Sequence, residues 1–264
     1  MRKTSSDRTH LIIPDCQVKP GVNTDHLDHI GRYIMDIRPE VIINLGDFWD
    51  MPSLSSYDKG KRCFEGRRYK DDIKAGIAGM MKLLKPVLDF NSKAAIKHRE
   101  RYKPRMVFLI GNHEERIERA TQLDPALEGL MSYDDLKLKS FGWETFGFLE
   151  IADVDGICYT HYVSSPNSPR AIGTAKGIAN AVHRSTITGH QQVLDYYYLP
   201  SRIKGGVPIQ TMIAGACYTH EEHYRGAQNQ EHFRGIVRLS GVDGRGNFAP
   251  MFIPLDYLKE RYSK

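Results

Sequence analysis

The sequence predicts an α/β protein in which a mainly parallel sheet packs against a second sheet. Three observations carry this. Residues 11–13, 41–45 and 106–110 are short continuous apolar runs, the pattern of strands buried on both faces. Segments of helical period separate them, so the connections read as right-handed crossovers rather than hairpins. Past residue 145 the runs come closer together, at 148–151, 156–160, 185–188, 210–214 and 236–240, with a helix expected at 171–182. That later set reads as the second sheet.

The first run stops at Pro14 and Asp15. A helix over 24–37 follows from Leu27, Ile30, Ile34 and Ile37, and Pro39 ends it before the second run. The interval 51–105 is long but not all loop. Ile73, Ile77, Met80, Leu84 and Leu88 form an apolar helix stripe, whereas 53–57 and 64–69 are irregular and polar. The expectation is one domain over 1–264 carrying an insertion at 51–105 that roofs a site.

The 264 residues are enough for one large core, and no apolar stretch approaches the roughly 20 residues of a membrane span. Basic residues precede the first run without an h-region or cleavage site, so the N-terminus does not read as a signal peptide and a cytoplasmic protein is expected. Cys16, Cys63, Cys158 and Cys217 have neither zinc-knuckle nor disulfide-framework spacing. The net charge of +5 modestly favours an anionic substrate.

Polar residues with chemistry to offer fall where the runs end. Asp15 and Gln17, one residue apart, share a face if strand geometry continues past the first run. Asp47 and Asp50 follow the second, Asn112 and His113 the third, and His161, His190 and Gln192 the later ones. Singly, Gly46-Asp47 and Gly111-Asn112 read better as turn signatures. Together they lie where open α/β sheets collect ligands, outside the C-terminal strand ends.

In order, Asp15-Cys16-Gln17, Gly46-Asp47-Phe48-Trp49-Asp50, Gly111-Asn112-His113-Glu114, His161 and Gly189-His190-Gln191-Gln192 resemble the signature of calcineurin-like metallophosphoesterases. That pattern runs Asp-x-His, Gly-Asp-x-x-Asp, Gly-Asn-His-Glu, a later His and Gly-His-x-His. The resemblance spans roughly residues 11 to 192. It implies a four-layer α/β/β/α sandwich of the metallophosphoesterase type with a helical insertion, and two divalent metal ions bridged by Asp47. Asp15, Gln17 and Gln192 would serve the first ion, and Asn112, His161 and His190 the second. His113 would protonate the leaving oxygen, with Asp50 orienting its ring; a helix cap is the alternative for Asp50. Gln17 and Gln192 stand where the pattern has histidines; an amide is a neutral oxygen ligand, so the first position is weaker or harder in preference and oxygen-rich. Manganese or magnesium suits it better than zinc, and a one-metal site is the alternative.

Two basic runs bear on the substrate. Lys59, Lys61, Arg62, Arg67, Arg68 and Lys70 alternate with Tyr57, Phe64 and Tyr69, a mixture that can pair phosphate contacts with base stacking; a solvated surface is the alternative. The second run extends from Lys93 to Arg105. Arg116 is near enough to Asn112 and His113 to reach substrate, or else lies on a helix surface. Residues 162–170 are serine-rich and either hold phosphate or turn the chain. His220, Glu221 and His223 are metal-friendly without His-Glu-x-x-His spacing. The expectation is a phosphodiesterase or nuclease acting on DNA or a nucleotide-containing substrate. A phosphomonoesterase, including a protein phosphatase, and a weakened nucleic-acid-binding module are the alternatives; the signatures of RRM, KH and zinc-finger domains are absent.

Overall fold

The computed structural model describes residues 8–222 and 232–263. The fold is mixed α/β, with two large sheets and five α-helices among these residues. The first half alternates β1 (Arg8–Ile13), α1 (Asp25–Ile37), β2 (Val41–Asn44), α2 (Tyr69–Ile96), β3 (Arg105–Leu109) and α3 (Glu115–Leu123). β4 (Glu144–Phe146), β5 (Ala152–Val154) and β6 (Ile157–Thr160) follow, then a short hairpin of β7 (Ser164–Ser165) and β8 (Ser168–Ala171). The chain continues through α4 (Ala175–Val182), β9 (Thr186–Thr188), β10 (Leu194–Leu199), β11 (Ile209–Ala214), β12 (Gly235–Val242), β13 (Ala249–Pro254) and α5 (Leu255–Tyr262).

The first sheet runs β13-β12-β1-β2-β3-β4, and the second β10-β11-β9-β6-β5. The pairs β1–β2, β2–β3 and β3–β4 are parallel, as expected, while β12 and β13 join antiparallel. In the second sheet β6, β9 and β11 are mutually parallel, and β5 and β10 flank them antiparallel.

Alternation along the strands divides the interior in two. Leu11, Ile13, Ile42 and Phe108 turn towards α1, α2 and α5 and pack with Leu27, Ile34, Leu83 and Leu258. Ile12, Ile43, Val107 and Leu109 turn the other way, onto Val154, Tyr159, Ile187 and Met212 of the second sheet. Each such side chain, fully buried, contributes about 1.5–3 kcal/mol. α4 lies against β9, β10 and β11, with Ala175 accepting from the Thr211 hydroxyl at 2.7 Å.

Two expectations are corrected. Residues 148–151 form no strand: Gly147 donates to the Glu150 carboxylate at 2.6 Å and Leu149 takes a φ of 63°, so the apolar run turns between β4 and β5. The helix expected at 171–182 begins only at Ala175, where Thr174 caps it by accepting from Gly177 N, and Ala171 instead ends β8. In the interval 51–105 the stripe becomes the 28-residue α2, whose Ile73 carbonyl meets the indole N–H of the buried Trp49.

Candidate metal centre

Every residue singled out at a strand end lies beyond the C-terminal end of β1, β2, β3, β6 or β9. Backbone bonds continue the sheet into these loops. Gln17 donates to Asp47 O and Asp50 to Val18 O, both at 2.9 Å, while Cys217 beyond β11 donates to Asp15 O at 2.7 Å. The β2 and β3 loops touch where no side chain fits. A Cβ on Gly46 would lie 2.6 Å from Gly111 N, and one on Gly111 only 2.2 Å from Asp47 Oδ1. Gln17, Asp47, His190 and Gln192 all have positive φ, at 43°, 50°, 67° and 56°. Non-glycine residues held there are strained by about 1–3 kcal/mol each and concentrate at functional sites.

Asp47, His161 and His190 each offer a ligand atom within 4.8 Å of the others. Asn112 Oδ1 sits among them, 2.9 Å from His161 Nε2 and 2.7 Å from His190 Nδ1. His161 turns its Nδ1 to Leu45 O at 2.7 Å, which leaves Nε2 facing inward, 3.4 Å from Asp47 Oδ2. Asp15 adjoins this group: its Oδ1 accepts from His190 N at 3.0 Å, and its buried Oδ2 has no hydrogen-bond partner among the described residues. Gln17 and Gln192 are buried as well, but Gln192 Oε1 accepts from the Tyr218 hydroxyl at 2.8 Å. The four residues expected at the second ion are thus gathered, and of those expected at the first Asp15 adjoins them.

The electrostatics ask for a cation. Burial and the neighbouring Asp47 raise Asp15 to about 6. Burial disfavours an imidazolium at His161, yet Asp47 and Asp15 outweigh it and lift the group to about 9. Burial, with His161 alongside, holds His190 down at about 4. Two adjoining buried carboxylates that pull a proton onto one imidazole while the other stays neutral are short of positive charge. An orphaned carboxylate oxygen, two imidazole nitrogens and an amide oxygen are donors that fit a divalent ion.

His113 donates its backbone N–H to Asp47 Oδ1 at 2.9 Å, and its ring Nδ1 lies 2.9 Å from Asp50 Oδ1 and 2.8 Å from Asp50 O. Asp50 caps no helix. Burial works against its charge, but His113 and Lys19 hold its carboxyl well below the usual range. Arg116 points inward, donating to Asp50 O at 2.7 Å and reaching 3.3 Å from His113 Nε2.

Three further residues belong to the setting: Glu114, which closes the Gly-Asn-His-Glu motif without a role assigned to it, and Lys19 and Glu222, which have no sequence signal of their own. Glu114 is buried and accepts from Asp47 N, Gly111 N and Trp49 N, each at 2.9 Å. Lys19 bonds Asp50 at 2.9 Å and Glu222 at 2.6 Å.

A cavity of about 1230 Å³ opens over Asp47, Asn112, His113 and His190, and the insertion walls it with Tyr57, Lys61, Arg67 and Arg68. Arg67 is engaged: it bonds Asp58 Oδ2 at 2.8 Å and Pro52 O at 3.0 Å. Arg68 is exposed and donates to the Arg67 carbonyl. None of the run from Lys93 to Arg105 lines this cavity. Residues 162–170 turn through the β7–β8 hairpin. His220 pairs with Glu222, and His223 lies outside the described residues.

No protein-family model matches this chain, and no curated protein matches it. Of the solved structures that match, one superposes with a TM-score of 0.42 at 10% identity, covering 94% of this chain and 99% of its own. A likeness that loose carries no argument. No helix of the described residues is long and apolar enough to cross a membrane.

Proposed function

We propose that the protein is a metal-dependent phosphoesterase of the calcineurin-like type, acting on a phosphodiester in DNA or another nucleotide-containing substrate. The observation that carries this reading is the convergence of Asp47, Asn112, His161 and His190 on one point, with His113 and its Asp50 partner beside it. We also read the fold as the four-layer α/β/β/α sandwich of that superfamily; α1, α2 and α5 against one sheet and α4 against the other support it.

Asn112, His161 and His190 would hold the second divalent ion, Asp15, Gln17 and Gln192 the first and more weakly held one, and Asp47 would serve both. Manganese or magnesium suits the oxygen-rich first set. Bound there, such ions supply neutralisation of phosphate oxygens and activation of water. His113 stands at the edge of this group with Nδ1 committed to Asp50, so Nε2 is the atom left for the leaving oxygen; it gives a proton there from the imidazolium, the form that Asp47 and Asp50 favour against burial. Arg116 reaches towards the same nitrogen and steadies the Asp50 and Met51 carbonyls, which keeps the ring at the cavity wall. The cavity is large beside the ~300–1,000 Å³ of ordinary small-molecule sites, which favours a substrate extending beyond the reacting phosphate.

Calorimetric titration of the metal-free protein with Mn²⁺ tests the ligand assignment. Asn112→Ala and His190→Ala should each lose the tighter site and keep a native melting profile. Unchanged stoichiometry and affinity in both variants would overturn it.

A further inference from the structure

The Asp50 carboxylate divides its two oxygens between different partners. Oδ1 lies 2.9 Å from His113 Nδ1, and Oδ2 lies 2.9 Å from Lys19 Nζ. The same ammonium is 2.6 Å from Glu222 Oε1, which His220 Nε2 also approaches at 2.6 Å. A chain of contacts therefore runs His220, Glu222, Lys19, Asp50, His113, joining the loops after β11, β1, β2 and β3. Lys19, Asp50, His113 and Glu222 all line the cavity. Neither Lys19 nor Glu222 belongs to the motif pattern.

We propose that Lys19 is a positioning residue for His113, acting through Asp50. Asp50 O, 2.8 Å from Nδ1, shares that hydrogen, and with Lys19 on Oδ2 the carboxylate cannot rotate, so Oδ1 and its charge stay against the imidazole. The ring is then held in one orientation, with Nδ1–H on Asp50 and Nε2 turned to the cavity. Arg116 does not duplicate this, since it bonds the Asp50 carbonyl and lies 3.9 Å from Oδ1. Removing the ammonium would leave the Asp50 and Glu222 carboxylates sharing a partly buried site without the cation that holds both, and networks of this kind fail as units. Glu222 in turn fixes Lys19, so the loop after β11 reaches the His113 ring by this route. The inference rests on the phosphoesterase reading for its kinetic consequence, though not for its structural one.

The test compares Lys19→Met, Lys19→Arg and Glu222→Gln in the full chain. Turnover of a phosphodiester with an alkyl leaving group, at saturating Mn²⁺, should fall about tenfold or more in Lys19→Met with KM little changed. Lys19→Arg should restore most of it, and Glu222→Gln should show a smaller loss. In a His113→Ala background Lys19→Met should cost less than twofold, because the residue it serves is gone. Independently of turnover, the ¹⁵N-histidine spectrum of the metal-free protein should show a His113 Nδ1–H signal that Lys19→Met shifts or broadens and Lys19→Arg preserves. An equal loss in both backgrounds would overturn the proposal by making Lys19 a substrate contact, as would an unaltered His113 signal in folded Lys19→Met. If the wild type hydrolyses no phosphoester, the functional reading falls, and the spectrum alone decides the role of Lys19. Should Lys19→Met not fold, Glu222→Gln carries the same comparison, and an unaltered signal there together with unaltered turnover would count against the chain of contacts.

Discussion

Glu114 accepts the backbone N–H of Asp47 on its Oε2, at 2.9 Å, across 67 positions of sequence. The same oxygen takes Gly111 N, and Oε1 takes Trp49 N. One buried carboxylate therefore ties together the two loops that bear Asp47 and Asn112. Burial and the nearby Asp47 raise it to about 7, which is the cost of keeping it there.

Glu114→Ala strands three buried donors, each worth about 1–3 kcal/mol when left unsatisfied. The variant should lose at least about 3 kcal/mol in urea unfolding, and its Mn²⁺ affinity should fall because Asp47 is no longer held. A loss below about 0.5 kcal/mol would show that the loops are fixed by other means.

The two insertion arginines should separate. Arg67 is spent on Asp58 and Pro52 O, so Arg67→Ala should loosen the cavity wall and slow polymer and small diester substrates alike. Arg68 is exposed, and Arg68→Ala should slow single-stranded DNA more than a chromogenic diester while flattening the salt dependence of the DNA reaction. Initial rates across a salt series measure both. The reverse pattern would assign Arg67, not Arg68, to the nucleic acid.

His26 on α1 gives a pH signature away from the centre. Burial pushes its pKa from 6.5 down to about 4, with partial compensation from the Cys217 backbone. The folded state thus binds fewer protons than the unfolded one between these values. Stability is complete above about pH 6.5 and declines as pH falls towards 4, by roughly 3 kcal/mol from this group. The unfolding free energy of His26→Gln, which cannot take up that proton, should be flatter than that of the wild type over this window. Parallel curves for the two proteins would place the acid sensitivity elsewhere.

How much of this was legible in the sequence depends on whether the signal is local. β1, β2, β3, α1 and α2 announce themselves because strands buried on both faces are continuously apolar and helices repeat their apolar faces. β10 and β13 escape the same reading: they are edge strands of mixed polarity, and Asp195 or Pro250 interrupts the pattern. The apolar residues 148–151 mislead in the other direction, since Leu149 turns the chain there. Asp15, Asp47, Asn112, His161 and His190 could be picked out because each ends a recognisable run. Glu114 and Lys19 could not be assigned, as Glu114 holds the amides of Asp47 and Trp49 in another loop and Lys19 bridges Asp50 to a carboxylate 203 positions away. Arg67 shows the converse: a basic residue in a basic run reads as a phosphate contact until the position of Asp58 is known.

The most direct test of a metal-dependent phosphoesterase is the turnover of bis(p-nitrophenyl) phosphate by metal-free protein titrated with Mn²⁺, run on the wild type and Asp47→Ala side by side. Asp47 is the one residue proposed to serve both ions, so a single substitution should remove the reaction. We expect saturable hydrolysis by the wild type, its abolition by chelator, and no activity above background in a folded Asp47→Ala protein. Equal turnover by the two proteins, or a folded wild type inert towards both diester and monoester at saturating Mn²⁺ and Mg²⁺, would contradict the account.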